Sequence, residues 1–128
     1  MNPAMIAPCG MNCELCLAHL RDKNVCKGCL LDDNNKPRHC IACSIKNCEH
    51  IAKSKSGMCY ECPKYPCRRL KQLDKRYRTK YNMSMIDNLE FIKEFGLGKF
   101  ISKEEEKWAC NNCGGVICVH RGYCLSCN

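Results

Sequence analysis

Cys110-Asn111-Asn112-Cys113-Gly114-Gly115-Val116-Ile117-Cys118-Val119-His120-Arg121-Gly122-Tyr123-Cys124-Leu125-Ser126-Cys127 is the stretch on which the fold turns. It holds two cysteine pairs, each with two intervening residues, and ten residues separate the pairs. Two residues between cysteines let both sulfurs point at one ion about 2.3 Å away, with backbone amides turned towards them. A glycine just after the second cysteine, here Gly114, permits the tight turn whose amides donate to the thiolates. Val116, Ile117 and Val119 favour strands, and Gly122 favours a turn. The spacing predicts a small zinc ribbon, a hairpin with Cys110, Cys113, Cys124 and Cys127 around one ion.

Working outward, the same interval recurs at Cys13/Cys16, Cys26/Cys29, Cys40/Cys43 and Cys59/Cys62, within a total of 16 cysteines in 128 residues. A disulfide framework has no reason to repeat that interval, whereas metal sites require it. The opening Met1-Asn2-Pro3-Ala4-Met5-Ile6-Ala7-Pro8-Cys9 lacks a basic start, and prolines interrupt its apolar stretch. It does not read as a secretory signal, so a reducing, cytoplasmic setting is expected. No apolar run approaches the length of a membrane span. Leu, Ile, Val and Phe together make up just under a fifth of the chain, which places it near the compositional edge of disorder. Sulfur chemistry is therefore expected to supply what the core lacks.

The first 67 residues hold most of the remaining cysteines. Joining neighbouring pairs gives Cys13, Cys16, Cys26 and Cys29 as one site and Cys40, Cys43, Cys59 and Cys62 as another. Cys9, Cys48 and Cys67 are then left for a further ion with a histidine, or Cys9 is a reactive thiol. A rival grouping uses the internal repeat Cys40-x2-Cys43-x4-Cys48 and Cys59-x2-Cys62-x4-Cys67. It resembles the binuclear zinc clusters of fungal transcription factors, with shorter x4 segments and, of the basic residues expected between the second and third cysteines, only Lys46. Cys9-x3-Cys13-x2-Cys16 matches the cluster motif of radical S-adenosylmethionine enzymes, but 128 residues cannot supply their barrel. An iron–sulfur cluster held by those three and a fourth cysteine stays open. His19, His39 and His50 lie beside cysteines and read as solvated or supporting groups. Cys118 and His120, two residues apart on a predicted strand, share a side of the hairpin. They either complete a site with Cys9 or Cys67, or Cys118 packs as a small hydrophobe.

Residues 68–108 contain no cysteine and read as helical. Leu70, Leu73, Tyr77 and Tyr81 fall on one helix face. Ser84 and Asp87 suit a capping box ahead of Met85, Ile86, Leu89, Ile92 and Phe95, with Gly96 as a stop. A third helix is expected over Lys99 to Lys107, with Phe100, Ile101 and Trp108 inward. The expected fold is thus a small metal-stabilised α+β protein. It comprises an irregular cysteine-rich zinc-binding region (1–67), central helices packed on it (68–107) and a zinc-ribbon hairpin (108–128).

Arg68, Arg69, Lys71, Lys75, Arg76, Arg78 and Lys80 crowd the first of these helices against a single Asp74, and the chain carries a formal charge of +8. Phosphate binding is one reading. A zinc ion held by four thiolates carries about −2, so four such sites would cancel the whole excess. The favoured reading is therefore a solvated face whose charge offsets the metal sites.

Ile6-Ala7-Pro8-Cys9-Gly10-Met11-Asn12-Cys13-x2-Cys16 resembles the start of a cysteine-rich prokaryotic family, domain of unknown function 3795. Cys26-Lys27-Gly28-Cys29, Ile45-Lys46-Asn47-Cys48 and Cys59-Tyr60-Glu61-Cys62-Pro63-x2-Pro66-Cys67 resemble its further blocks. Met83 to Glu90, Trp108-Ala109-Cys110 and Gly115 to Gly122 are similar to its longer form with a C-terminal zinc ribbon. The resemblance implies a metal-binding cytoplasmic protein and brings no activity with it.

No Ser/His/Asp constellation, phosphate-cradling glycine loop or H-E-x-x-H helix is present, so hydrolysis has no support. The favoured function is a module with about three to four zinc ions in closed thiolate sites, binding protein or nucleic acid, more readily read as a non-enzyme. An iron–sulfur or thiol redox enzyme or sensor, and a metal storage or sensing protein, are the alternatives.

Overall fold

Apolar residues recur every three or four positions through the middle of the chain, and helices form there. The computed structural model describes residues 1, 3–21, 23–30, 36–37, 40, 45, 47–49, 51 and 54–127. Among them lie four α-helices: α1 (Leu17–Leu20), α2 (Arg68–Lys80), α3 (Met85–Phe95) and α4 (Leu97–Lys107). Short 3-10 turns occur at Pro3–Met5, Cys13–Leu15 and Cys59–Glu61.

Leu70 on α2 is fully buried, and Leu73, Tyr77 and the following Tyr81 pack against the core from the same face. Ser84 caps α3, its hydroxyl accepting the Asp87 amide at 3.0 Å, which satisfies one of the helix's first N–H groups. Gly96, at a φ of 91°, ends α3. Because the chain turns on that one residue, α4 starts at Leu97, two residues ahead of the expected Lys99. Phe95 was expected in the buried stripe of α3 but is exposed. It sits in the last turn, where the chain leaves for α4, and its ring leans on that of Phe91 at a tilt of 44°, with centroids 4.8 Å apart. Phe100, Ile101 and Trp108 face inward as expected. Helix α3 packs between α2 and α4, and also meets the Cys59–Glu61 turn.

One apolar cluster draws on every part of the chain: Ile6 and Leu15, then Met58, then Leu70, Met85, Leu89 and Phe100, and finally Val119. Low Leu, Ile, Val and Phe content is offset by methionine. Met5, Met11, Met58, Met83 and Met85 are all buried, and unbranched thioethers fill irregular gaps between short elements. Cys9 and Cys59 belong to this cluster too.

The expected ribbon hairpin is represented by isolated antiparallel bridges, Ala109 to Val116 and Ile117 to Cys124; no longer strand occurs among the described residues. The Cys118 amide donates to the Tyr123 carbonyl at 3.0 Å and the Gly122 amide to the Cys118 carbonyl at 2.8 Å. That turn consumes the residues expected to extend the strands. Val119 leaves the hairpin altogether: it is buried, and its amide donates to the Leu15 carbonyl at 2.9 Å. No helix among the described residues is long and apolar enough to cross a membrane.

Candidate metal centre

The C-x2-C turn at Cys110 closes through the Gly114 amide donating to the Cys110 carbonyl at 2.9 Å and the Cys110 amide to the Gly115 carbonyl at 2.7 Å. The bridge between Ile117 and Cys124 brings the second pair alongside it. As a result the sulfurs of Cys110, Cys113, Cys124 and Cys127 all lie within 4.8 Å of one another. Cys110 and Cys127 are 3.7 Å apart, and Cys113 and Cys124 3.5 Å. Four sulfurs at about 2.3 Å from a central ion sit on a tetrahedron with edges of about 3.8 Å, so the spacing matches a shared ion. Among the described residues, no other group of three or more ligand-type side chains is drawn this close.

The electrostatics suit deprotonated sulfur. The Gly115 amide donates to the Cys113 sulfur and the Asn112 side-chain amide to the Cys127 sulfur, both at 3.4 Å. Backbone amides of Cys113 and Asn112 bring the Cys110 thiol down to about 7. The Cys127 amide leads those that lower Cys124. Cys113, sharing protons with Cys127 and Cys124, is pushed up to about 12. Two sulfurs thus favour the thiolate while a neighbour retains the proton, and a divalent cation resolves the competition by replacing the protons. An all-sulfur donor set fits a thiophilic metal.

Nearer the start of the chain, the Cys16 amide donates to the Cys13 carbonyl at 3.2 Å, and the Cys26 amide donates to the Ala18 carbonyl at 2.9 Å. These bonds set two C-x2-C pairs side by side. Cys13, Cys16, Cys26 and Cys29 line one cavity of about 40 Å3, together with Cys40. Burial pushes the Cys13 thiol up to about 12 and raises Cys16. Backbone amides nevertheless donate to both sulfurs, from Cys29 to Cys13 and from Ala18 and His19 to Cys16. Lys36 lines the same cavity, is buried, and donates from Nζ to the Cys29 carbonyl at 3.0 Å. A buried ammonium needs negative charge nearby, and the cysteines of this cavity would supply it as thiolates on a bound cation. Nothing in the sequence singles out Lys36.

Cys40 therefore stands with the first two pairs, held by its amide to the Pro37 carbonyl at 2.9 Å. It does not join Cys59 and Cys62, which line a different cavity with Cys48 and Cys67. Cys43, His39 and His50 lie outside the described residues. Cys9 lines neither cavity; it is buried in the apolar cluster, and burial raises its thiol strongly. Cys118 is fully buried. His120 sits on the Cys118–Tyr123 turn, so a strand step does not relate it to Cys118. The Leu17 amide donates to its Nδ1 at 3.3 Å, and its Nε2 is 2.9 Å from the Tyr77 hydroxyl. The His19 ring lies 2.6 Å from the Cys26 carbonyl, supporting a candidate ligand through its backbone.

A family model described as a protein of unknown function (DUF3795) matches residues 5–72. That range covers more than half of the 128-residue chain and contains Cys9 to Cys67, but stops short of the C-terminal tetrad. No curated protein and no solved structure matches the chain.

Proposed function

The chain belongs to the family described as a protein of unknown function (DUF3795), and from that premise we propose that it is a multi-zinc interaction module. Closed thiolate sites hold its fold, and its surface binds a partner. The observation that carries this reading is the C-terminal tetrad, whose sulfurs lie within 4.8 Å of one another, with two separations, 3.7 and 3.5 Å, near the edge of a thiolate tetrahedron. Four protein ligands leave no open coordination position, which suits a structural ion and gives substrate or water no place to bind. Cys13, Cys16, Cys26 and Cys29 supply a second site on this reading, supported by the cavity they share and by buried Lys36.

Thiolate sites also change the partner expected. All seven Lys and Arg side chains of α2 are exposed, but anionic metal sites cancel much of the field that would draw phosphate. A protein partner fits that balance better than nucleic acid. Elemental analysis of chain purified without oxygen tests the metal: the expected product is colourless and contains zinc. Brown protein carrying iron and sulfide would sink the zinc reading and favour the iron–sulfur one.

A further inference from the structure

Cys48, Cys59, Cys62 and Cys67 line one cavity of about 20 Å3, large enough for a water-sized sphere. Ile45, Ile51 and Leu70 make much of the remaining wall apolar, and Arg69 is its one cationic side chain. Three features of the backbone point to a charged occupant.

The first is a repeated turn. Cys59–Glu61 closes with the Cys62 amide on the Cys59 carbonyl at 3.0 Å, leaving Cys62 at φ −68° and ψ 134°. Cys13–Leu15 closes identically, with Cys16 at φ −76° and ψ 137°. The second is an amide aimed at sulfur. Lys64 donates to the Cys62 sulfur at 3.4 Å, the same two-residue step and distance as Gly115 to Cys113 in the C-terminal tetrad. The third is the start of α2. Cys67 occupies its N-cap without a side-chain capping bond, and the first turn contains no acidic residue. Arg68 and Arg69 stand there instead. Cations at the positive end of a helix are unfavourable unless an anion lies beside them.

We propose that Cys48, Cys59, Cys62 and Cys67 bind a further thiophilic divalent ion, zinc by donor chemistry, at the N-terminus of α2. Arg68 and Arg69 offset the negative charge of this thiolate site. The proposal rests on the reading of the chain as a metal protein. The four cysteines line the cavity without the close approach of the C-terminal tetrad, so binding requires their sulfurs to move inward. Binding releases the thiol protons to solvent. The grouping keeps four of the six cysteines of the internal repeat and leaves out Cys40, which lines the other cavity.

Zinc content of the full chain is compared for the wild type, a Cys48→Ser/Cys67→Ser variant and a Cys110→Ser/Cys127→Ser variant. Each double variant is expected to lose one ion per chain. If the second variant loses an ion and the first loses none, this site is overturned and the C-terminal one stands. A metal-free wild type overturns both. Because a variant can fail by unfolding, the wild type is also alkylated with iodoacetamide before and after chelation, and its peptides are mapped. Protection of Cys48, Cys59, Cys62 and Cys67 as one set, lost together on chelation, supports the site. Alkylation of Cys48 and Cys67 at the metal-free rate in metal-replete chain overturns it.

Discussion

Gly10 sits between Cys9 and the Cys13 turn at a φ of 91°, with its carbonyl accepting from the Asn88 side-chain amide at 3.0 Å. A Cβ there would lie 2.8 Å from the Met85 carbonyl oxygen and 3.1 Å from Leu89. The cysteine loop thus rests directly on the backbone of α3, and no side chain fits between them. Gly10→Ala should cost about 2 kcal/mol or more, since strain and a backbone clash add. Gly98 provides the contrast: it lies within α4 and its Cβ would meet nothing within 4 Å. Gly98→Ala should stabilise by about 0.5 kcal/mol through helix propensity. Urea unfolding of both variants checks the pair. The cysteine intervals were readable at this scale because two residues of spacing fix where two sulfurs can point. Gly10's role was not, because the atoms that forbid a side chain lie some 75 residues further on.

Between elements, Asp74 is the residue that the sequence undersold. It reads as one acid on a basic face, yet it is buried and ties α2 to the start of α3. The Ser84 hydroxyl and the Ile86 amide donate to Oδ1 at 2.6 and 3.0 Å, and Arg78 Nε donates to Oδ2 at 2.6 Å. Ser84 itself caps α3, so one carboxylate orients the capping residue and faces the positive end of the helix. The capping box at Ser84 and Asp87 was legible because it is local. Asp74 was not, because its partners meet it only after the chain has reversed. Burial works against its charge, but the donors from Ser84, Ile86 and Arg78 outweigh that and hold its carboxyl below the ordinary 3.8. The folded chain therefore takes up this proton less readily than the unfolded one. Its stabilisation is complete above the ordinary value and is lost as pH falls through the lower folded value. Asp74→Ala should cost about 3 kcal/mol at neutral pH, because charged hydrogen bonds are lost and buried donors are stranded. Urea unfolding of Asp74→Ala at neutral pH checks this; a loss under about 1 kcal/mol would contradict the assignment.

For the molecule as a whole, cysteine number and positive charge belong to one arrangement. On the proposed reading thiolate sites take negative charge into the fold, and Lys36, Arg68 and Arg69 stand beside cysteines in the structure. At low salt the metal-replete chain should leave duplex DNA and RNA unshifted in a mobility assay; a salt-sensitive shift would restore the phosphate-binding reading of α2. The C-terminal tetrad was legible in advance because its four cysteines lie on one short hairpin-like segment. The groupings within residues 9–67 were not, since loops separate the pairs and packing decides which of them meet. Cys40 lines the cavity of the first two pairs, which neither grouping predicts, whereas Cys48 and Cys67 share one with Cys59 and Cys62, as the repeat-based grouping has them. Met85 lies in the periodic stripe of α3 and reads as core, whereas the burial of Met5, Met11 and Met58 does not show in the sequence, because they stand in irregular segments with no apolar period. The central claim is that bound metal supplies folding free energy that this core does not. Thermal unfolding of the full chain by circular dichroism, with and without a strong zinc chelator, tests it most directly. The account predicts that chelation abolishes the cooperative transition and that added zinc restores it. A metal-free chain that melts cooperatively at an unchanged temperature would contradict it.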